Sequence, residues 1–383
     1  MNYFSSEFTL GILGGGQLGK MLLAETRKFD IRTHVLDPSA DAPSSLACNS
    51  FVIGDLMDYE TVLAFGRNVD VLTIEIEHVN VEALEMLEKE GKKVFPSAST
   101  LRIIQNKARQ KQFYTDNAID CPAATVFSGL KDLMVEFMDG KLKIPFVWKS
   151  TELGYDGNGV RVIREAQDLQ EVPDTECIAE EMIDFAMELA VIVARNTSGD
   201  VATYPVVEME FHPVANQVEY VLCPARISPE IETKARALAL EVSEKFAHTG
   251  LLAVEMFLTK DNRLLVNEVA PRPHNSGHYS IEASYTSQFE NHLRAILGLP
   301  LGATENKAAA VMVNLSGAEG FSGNVIYENI EQIMAIEGVT PHIYGKRQTR
   351  PFRKMGHVTI VRPDIANARE IAQQVRQTIR VIA

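Results

Sequence analysis

The first hundred residues alternate between two hydrophobic periods. FTLGILGG reads as a strand entering a glycine turn, and QLGKMLLAETRKF carries apolar residues at helical spacing. IRTHVLD is a strand, YETVLAFGR a helix, VDVLTIEIE a strand, VEALEMLEKEG a helix and KVFP a strand closed by Pro96. Strand, helix, strand in repetition is the pattern of a parallel, doubly wound α/β sheet with helices on its faces.

Residues 97–118 read as one helical stretch rich in Lys, Arg and Gln. Mixed strands follow: IPFVWKS, GVRVI, ECIAEEM and ELAVIVARN. PEIETKARALALEVSEKFAHTG is predicted as a helix with Gly250 as its C-cap. LLAVEMFLT and RLLVNEV are strands joined by the turn KDN, and FENHLRAILGL is a further helix. Beyond Pro300 lies a small tail with AAVMVNLSG, HIYGK and HVTIVRP as strands and ANAREIAQQVRQTIR as a closing helix. A chain of 383 residues is too long for one ordinary core, so two or three domains are expected.

Composition excludes several classes. A net charge of -14 argues against non-specific binding to nucleic acid or membrane surfaces, both of which favour a basic face. No apolar run is long enough to span a bilayer. The N-terminus lacks a basic start, an apolar stretch of signal length and a cleavage site, so it reads as the start of a strand. Cys48, Cys121, Cys177 and Cys223 lie far apart without CxxC spacing, which makes zinc or a disulfide framework a poor expectation and a reducing cytoplasm the default.

Three stretches carry chemistry. In GILGGGQLGKM, Gly14, Gly16 and Gly19 follow a strand and open a helix, and Asp37 ends the next strand. That is the dinucleotide fingerprint. Glycines at a helix N-terminus offer backbone N–H groups to any phosphate, so a nicotinamide cofactor, another phosphate and a ligand-free turn all remain open.

The second stretch is a pair of strands, each with an isolated carboxylate: Glu255 in AVEMF and Glu268 in VNEVA. The KDN turn makes them antiparallel neighbours and brings both, with Asn267, close together. Two close carboxylates repel and push one pKa up. A hard divalent cation such as Mg²⁺, shared with substrate phosphates, removes the conflict. The strand then opens into APRPHNSGHY. Arg272 can hold a phosphate, Pro271 and Pro273 restrict the backbone, and His274, Asn275, Ser276 and His278 supply donors and acceptors for a small polar substrate.

The third is VWKSTELGYDGNGV, where a strand ends near Lys149 and Gly154, Gly157 and Gly159 follow without a helix pattern. It reads as a phosphate-covering flap between two strands. Lys107 in QNKARQK is a second cation within reach of nucleotide phosphates, and AEEMIDFAMELAV adds Glu180, Glu181 and Glu188.

Taken in order, GGGQLGKM, NKARQK, KSTELGYDGNG, the EEMIDF run, AVEMF and NEVAPRPHNSGHY resemble the ATP-grasp carboxylate–amine ligases over nearly the whole chain. GYDGNG, PRPHNSGH and RPFRKMGH resemble most the purine-biosynthetic branch that carboxylates 5-aminoimidazole ribonucleotide. The resemblance implies three parts: an α/β ribonucleotide-binding domain over 1–105, an ATP-grasp domain over 106–300 with its flap about 122–183, and a β-rich domain over 301–383. It implies ATP, bicarbonate and the ribonucleotide as substrates, Mg²⁺ on Glu255 and Glu268, and a homodimer. ATP would be held by Lys107, Lys149, the flap residues Gly154, Tyr155, Asp156, Gly157, Asn158 and Gly159, the adenine-pocket residues Glu180, Glu181, Met182 and Ile183, Glu188 on the ribose, and Asn267 with Glu268. Gln17, Leu18, Glu77, Tyr155, Asp156, His274, Ser276, Arg353 and Lys354 would hold the ribonucleotide. Asp156, Arg272, His274, Asn275 and Ser276 form the implied catalytic set. Glu208 and Met209 stand where the family often has a Glu-Asn pair, and no contact is assigned to them. The rivals are a formate-using ATP-grasp ligase acting on glycinamide ribonucleotide, a nicotinamide-dependent oxidoreductase, and a catalytically dead nucleotide-binding regulator.

Overall fold

The structure is a computed structural model that describes residues 2–152 and 159–383. Among them no helix is long and apolar enough to cross a membrane, and all four cysteines are free.

The first unit runs β1 (Thr9–Leu13), α1 (Gln17–Lys28), β2 (Arg32–Asp37), β3 (Ser50–Ile53), α2 (Tyr59–Arg67), β4 (Val71–Ile74), α3 (Val81–Lys89) and β5 (Lys93–Phe95). Its sheet has the order β3-β2-β1-β4-β5 and is parallel throughout. Alternation sends Leu13 to one face, with Val62, Leu84 and Leu87, and Leu10 and Ile12 to the other, with Leu22 and Leu23. Strand order reverses between β1 and β4, and such a switch point is where open α/β sheets take ligands. β4 stops at Ile74, earlier than VDVLTIEIE suggests. The next residue, Glu75, leaves the strand to bind backbone N–H groups of the glycine loop.

Residues 97–118 form two helices, α4 (Ala98–Ile104) and α5 (Lys107–Asp116), where the sequence suggests one. Asn106 breaks the run because its side chain caps α5, accepting from the Arg109 N–H at 3.0 Å. Gln105 turns away to donate to the carbonyls of Glu77 and Val79. The break places Lys107 in the first turn of a new helix.

Next come β6 (Ala124–Phe127), α6 (Leu130–Met138), β7 (Phe146–Ser150), β8 (Val160–Ile163) and β9 (Cys177–Glu181). They make an antiparallel flap sheet in the order β6-β9-β7-β8, with its own core around Trp148, Phe146 and Leu133.

The central sheet draws on β10 (Phe185–Arg195), β11 (Val201–Thr203), β12 (Val207–Phe211), β13 (Val218–Cys223), then after α7 (Pro229–Phe246) on β14 (Gly250–Thr259) and β15 (Leu264–Ala270). After α8 (Ser280–Ala283) and α9 (Gln288–Ile296) come β16 (Ala309–Ser316), β17 (Gly323–Asn324), β18 (Ile326–Glu328), α10 (Ile330–Met334), β19 (Val339–Ile343), β20 (Gln348–Thr349), β21 (Lys354–Arg362), α11 (Ile365–Thr378) and β22 (Arg380–Ile382). The strand order is β15-β14-β10-β12-β13-β16-β21-β19, with β11 on β10. The tail strands therefore extend the same antiparallel sheet through the β13–β16 pair. Glu208, left unassigned above, accepts Arg226 on both carboxylate oxygens, and Met209 is buried in the core.

α7 ends at Phe246, short of the expected Gly250 cap. Ala247 takes the left-handed cap position at φ 47°. His248 is buried directly behind it, so the chain has already left the helix when Gly250 opens β14. A left-handed non-glycine residue costs about 1–2 kcal/mol. Ala247→Gly is therefore expected to stabilise the protein by about 1 kcal/mol, seen as a higher denaturant midpoint; an unchanged or lower midpoint contradicts this.

Candidate active site

β14 and β15 face Glu255 directly with Glu268. The register slips just beyond this pair, from Glu255↔Glu268 to Met256↔Val266, which leaves Asn267 as an extra residue on β15. A bulge of this kind re-aims side chains. Here it lets the adjacent Asn267 and Glu268 both reach lysines: Lys149 Nζ donates to Asn267 Oδ1 at 3.2 Å, and Lys107 Nζ to Glu268 Oε2 at 2.8 Å. On β10, Ala190 pairs Glu255 and Glu188 pairs Phe257, so Glu188 lies on the same face.

Three carboxylates thus form one floor, and their surroundings separate them. Lys107 holds the Glu268 carboxyl well below the usual range against the cost of its burial. Burial, then the charges of Glu268 and Glu188, push Glu255 up. Burial, then Glu268, push Glu188 up to about 7. Glu255 and Glu268 suit a hard divalent cation as oxygen donors. Among the described residues no group of three or more His, Cys, Asp or Glu could hold a metal ion. An ion on the floor would thus take its remaining ligands from a nucleotide's phosphates or water, the usual habit of Mg²⁺.

Behind the floor, buried Glu180 on β9 bridges Lys149 on β7 and Lys111 on α5. The resemblance implies Glu180 as a lining of the adenine pocket; its side chain pairs with both lysines. Burial raises the Glu180 carboxyl, and the two lysines overcome that to leave it lowered. Lys111 escaped the sequence reading, although NKARQK sets it four residues after Lys107 on one helix face. Glu181, Met182 and Ile183 carry the chain from β9 towards β10, and the Glu181 N–H donates to the Ala123 carbonyl at 2.8 Å. Gly159 lies at φ 75° beside Ser150, whose N–H donates to its carbonyl at 2.9 Å. Gly154, Tyr155, Asp156, Gly157 and Asn158 lie outside the described residues.

The loop after β15 faces this floor. His274 Nε2 stands 3.3 Å from Glu255 Oε1, and its Nδ1 is 2.9 Å from Ser276 Oγ. Gln288 clamps the backbone of His274, accepting from its N–H at 2.9 Å and donating to its carbonyl at 2.7 Å. Arg272 Nε lies 2.8 Å from Glu77 Oε1, so the loop is tied to the switch point of the first sheet. Asn275 pairs with Asn314 on β16. Lys354, first residue of β21, is close enough to lower the Glu255 carboxyl. Arg353 instead donates to the Gln348 carbonyl at 2.6 Å. Lys346, absent from the sequence reading, donates to the Lys354 carbonyl at 2.8 Å, and Lys20 of α1 donates to the Ile343 carbonyl at 2.9 Å.

The glycine loop carries the clearest correction. Glu75 accepts the N–H groups of Gly16, Leu18 and Gly19 at 2.9, 3.0 and 3.0 Å, and Asp37 accepts that of Gly15 at 2.7 Å. A Cβ on Gly16 would lie 2.5 Å from Glu75 Oε1. The donors that a dinucleotide's pyrophosphate would need are taken by the protein's own carboxylates, which removes the nicotinamide reading. Gln17 still opens α1 at the switch point, but the Leu18 N–H is spent on Glu75. Nothing in G-x-G-x-x-G announces an internal anion; the only signal was a glutamate just past the β4 strand.

A four-stranded flap joined to a sheet floored by carboxylates, with a lysine from the flap and one from α5 meeting there, defines the ATP-grasp class. The ATP-grasp domain family matches residues 113–289, the ribonucleotide synthetase preATP-grasp domain 8–105, and the phosphoribosylaminoimidazole carboxylase C-terminal domain 310–371. The chain is 42% identical to N5-carboxyaminoimidazole ribonucleotide synthetase from Thermotoga maritima, with a TM-score of 0.88 and coverage of 98% of this chain and 99% of that one. The Aspergillus clavatus N5-carboxyaminoimidazole synthase, solved in complex with ADP and 5-aminoimidazole ribonucleotide, is 32% identical at a TM-score of 0.88, covering 97% and 98%. The chloroplastic phosphoribosylaminoimidazole carboxylase of Vigna aconitifolia is 40% identical over 93% of this chain. This chain spans just under two thirds of that relative's length, 64%. The chain belongs to the N5-carboxyaminoimidazole ribonucleotide synthetase family of ATP-grasp ligases.

Glu188 supplies a pH test. A carboxyl whose folded pKa is raised to about 7 from 4.5 makes the fold less stable as pH rises through that window. Below the window both folded and unfolded states hold the proton and no cost arises. Glu188→Gln is expected to stabilise the ligand-free protein progressively from pH 4.5 to 7 and level off above. Denaturation midpoints of both proteins at pH 5 and pH 8 check this; an equal difference at the two pH values contradicts it.

Proposed function

We propose that this chain uses ATP and Mg²⁺ to carboxylate 5-aminoimidazole ribonucleotide with bicarbonate. Bicarbonate oxygen takes the γ-phosphoryl group, giving carboxyphosphate and ADP. The ribonucleotide amine then attacks the carbon of carboxyphosphate, expelling phosphate, or of CO₂ released from it together with phosphate, and loses a proton to yield the N5-carboxylated ribonucleotide. The observation that carries this reading is the carboxylate floor, with lysines on the flap side and the His274 loop on the other.

In this reading Lys107 and Lys149 lie against the transferring phosphates, where fixed cations stabilise spreading charge. Lys111 and Glu180 keep Lys149 in place. Glu181, Met182 and Ile183 offer backbone groups to adenine, and Glu188 a carboxyl to the ribose. Mg²⁺ held by Glu255 and Glu268, beside Asn267, would neutralise the charge of the nucleotide phosphates. Arg272, anchored by Glu77, and His274, anchored by Gln288 and Ser276, present donors to the carboxyl donor. Asn275 fixes the loop's far side. Gln17, Lys354 and Arg353 border the space for the ribonucleotide, and Tyr155 and Asp156 of the flap are assigned to the reacting amine. The stretch from Gly154 to Gly159 is assigned to cover the phosphates, which would keep water from the carboxyphosphate.

The complex named for the Aspergillus clavatus relative supports the choice of nucleotide and ribonucleotide. The expected result is ADP release that needs the ribonucleotide, with label from bicarbonate in the product, and at least about a hundredfold loss in Glu268→Gln. ADP without captured label would move the assignment to another acyl donor such as formate. No ADP under any of these conditions would overturn the reading.

A further inference from the structure

Between the reacting loop and the tail runs a row of contacts of which the proposed reaction uses only the Asn275 end. Asn314 on β16, His357 on β21 and His342 on β19 stand directly opposite one another across three strands. Cross-strand partners share a face of the sheet. Each of the three meets one residue in the loop's second half or just after it. Asn314 and Asn275 exchange two amide hydrogen bonds, both 2.9 Å. The His357 and His278 rings lie 4.8 Å apart. His342 Nε2 stands 2.7 Å from Glu282 Oε1. The row is continuous, since His342 and His357 stack with ring centroids 4.5 Å apart and planes within 11°.

The two sides match in repeat. Residues 275, 278 and 282 are i, i+3 and i+7, one face of the helical run made by the 275–277 turn and α8. Steps of three and four residues advance about 4.5–6 Å along a helix, and neighbouring strands lie about 4.8 Å apart. A helical face laid across the strands therefore meets one side chain per strand. Glycine permits close approach at both borders of the row: a Cβ on Gly277 would lie 2.2 Å from Ile192 Cδ1 on β10, and one on Gly356 of β21 2.6 Å from the His342 carbonyl oxygen on the neighbouring strand β19.

We propose that Asn314, His357 and His342, with Glu282, are positioning residues that register the Arg272–Ser276 loop against the strand carrying Lys354. This rests on the reaction proposed above. None of the four touches a reacting group in that scheme; they act by holding the segment that begins one residue after His274.

Asn314→Leu removes both bonds to Asn275 together with the Asn314 donation to the Val218 carbonyl, Glu282→Leu removes the contact to His342, and Glu282→Gln keeps an acceptor for His342. Misplacing a reacting group by about 1 Å can cost about a hundredfold. The Leu variants should lose about ten- to hundredfold in kcat for ribonucleotide-dependent ADP release, with KM for ATP within about twofold of the parent. Glu282→Gln should recover to within about threefold of the parent. Unchanged kcat in folded Leu variants, or KM for ATP moving in step with kcat, overturns the proposal. Hydrogen exchange gives a readout independent of turnover. Amides 274–283 should exchange at least about tenfold faster in Asn314→Leu, with β7 and β9 unchanged. Unchanged exchange at 274–283 overturns positioning even if the parent shows no ribonucleotide-dependent ADP. That last result by itself would sink only the proposed reaction.

Discussion

Three carboxylates on one sheet face organise this molecule. Glu188, Glu255 and Glu268 repel one another in a partly buried floor, which costs stability unless cations answer them. The chain supplies some of that answer itself. Lys107 reaches Glu268 from a helix that begins only because Asn106 interrupts a longer one. Lys149 comes from the flap, steadied by Glu180 and Lys111. The remainder of the conflict, a Glu255 carboxyl pushed up by burial and by its neighbours, is what a divalent cation would resolve.

The same economy of local charge runs through the rest of the structure. A protein of net charge -14 can bind phosphate-bearing ligands only where cations are gathered, and they gather at seams between parts. Arg272 pairs with Glu77 between the loop and the first sheet, and Lys20 donates from α1 to the tail strand β19. At the glycine loop the polarity is reversed: backbone N–H groups that could take a phosphate are saturated by Glu75 and Asp37.

Much of this was legible in the residues. The parallel sheet followed from strict strand–helix alternation, and the facing of Glu255 and Glu268 from two strands joined by a short turn. What escaped depends on partners distant in sequence. Asn267 and Glu268 both reach lysines because of a bulge, which no local pattern marks. The glycine fingerprint specifies free N–H groups at a helix start but not the anion that takes them, so Glu75 stayed hidden. That the tail strands continue the central sheet was not legible either, since the β13–β16 pairing joins segments far apart in sequence. Ala247, not a glycine, takes the left-handed cap that ends α7, with buried His248 directly behind it.

The central claim is that the floor holds the nucleotide's divalent ion through Glu255 and Glu268. The direct test is Mn²⁺ titration followed by electron paramagnetic resonance, with ADP present and absent, for the parent protein, Glu255→Gln and Glu268→Gln. The account predicts tight Mn²⁺ binding by the parent only when ADP is bound, weakened in both variants while ADP still binds. Mn²⁺ binding that is indifferent to both glutamates would contradict it.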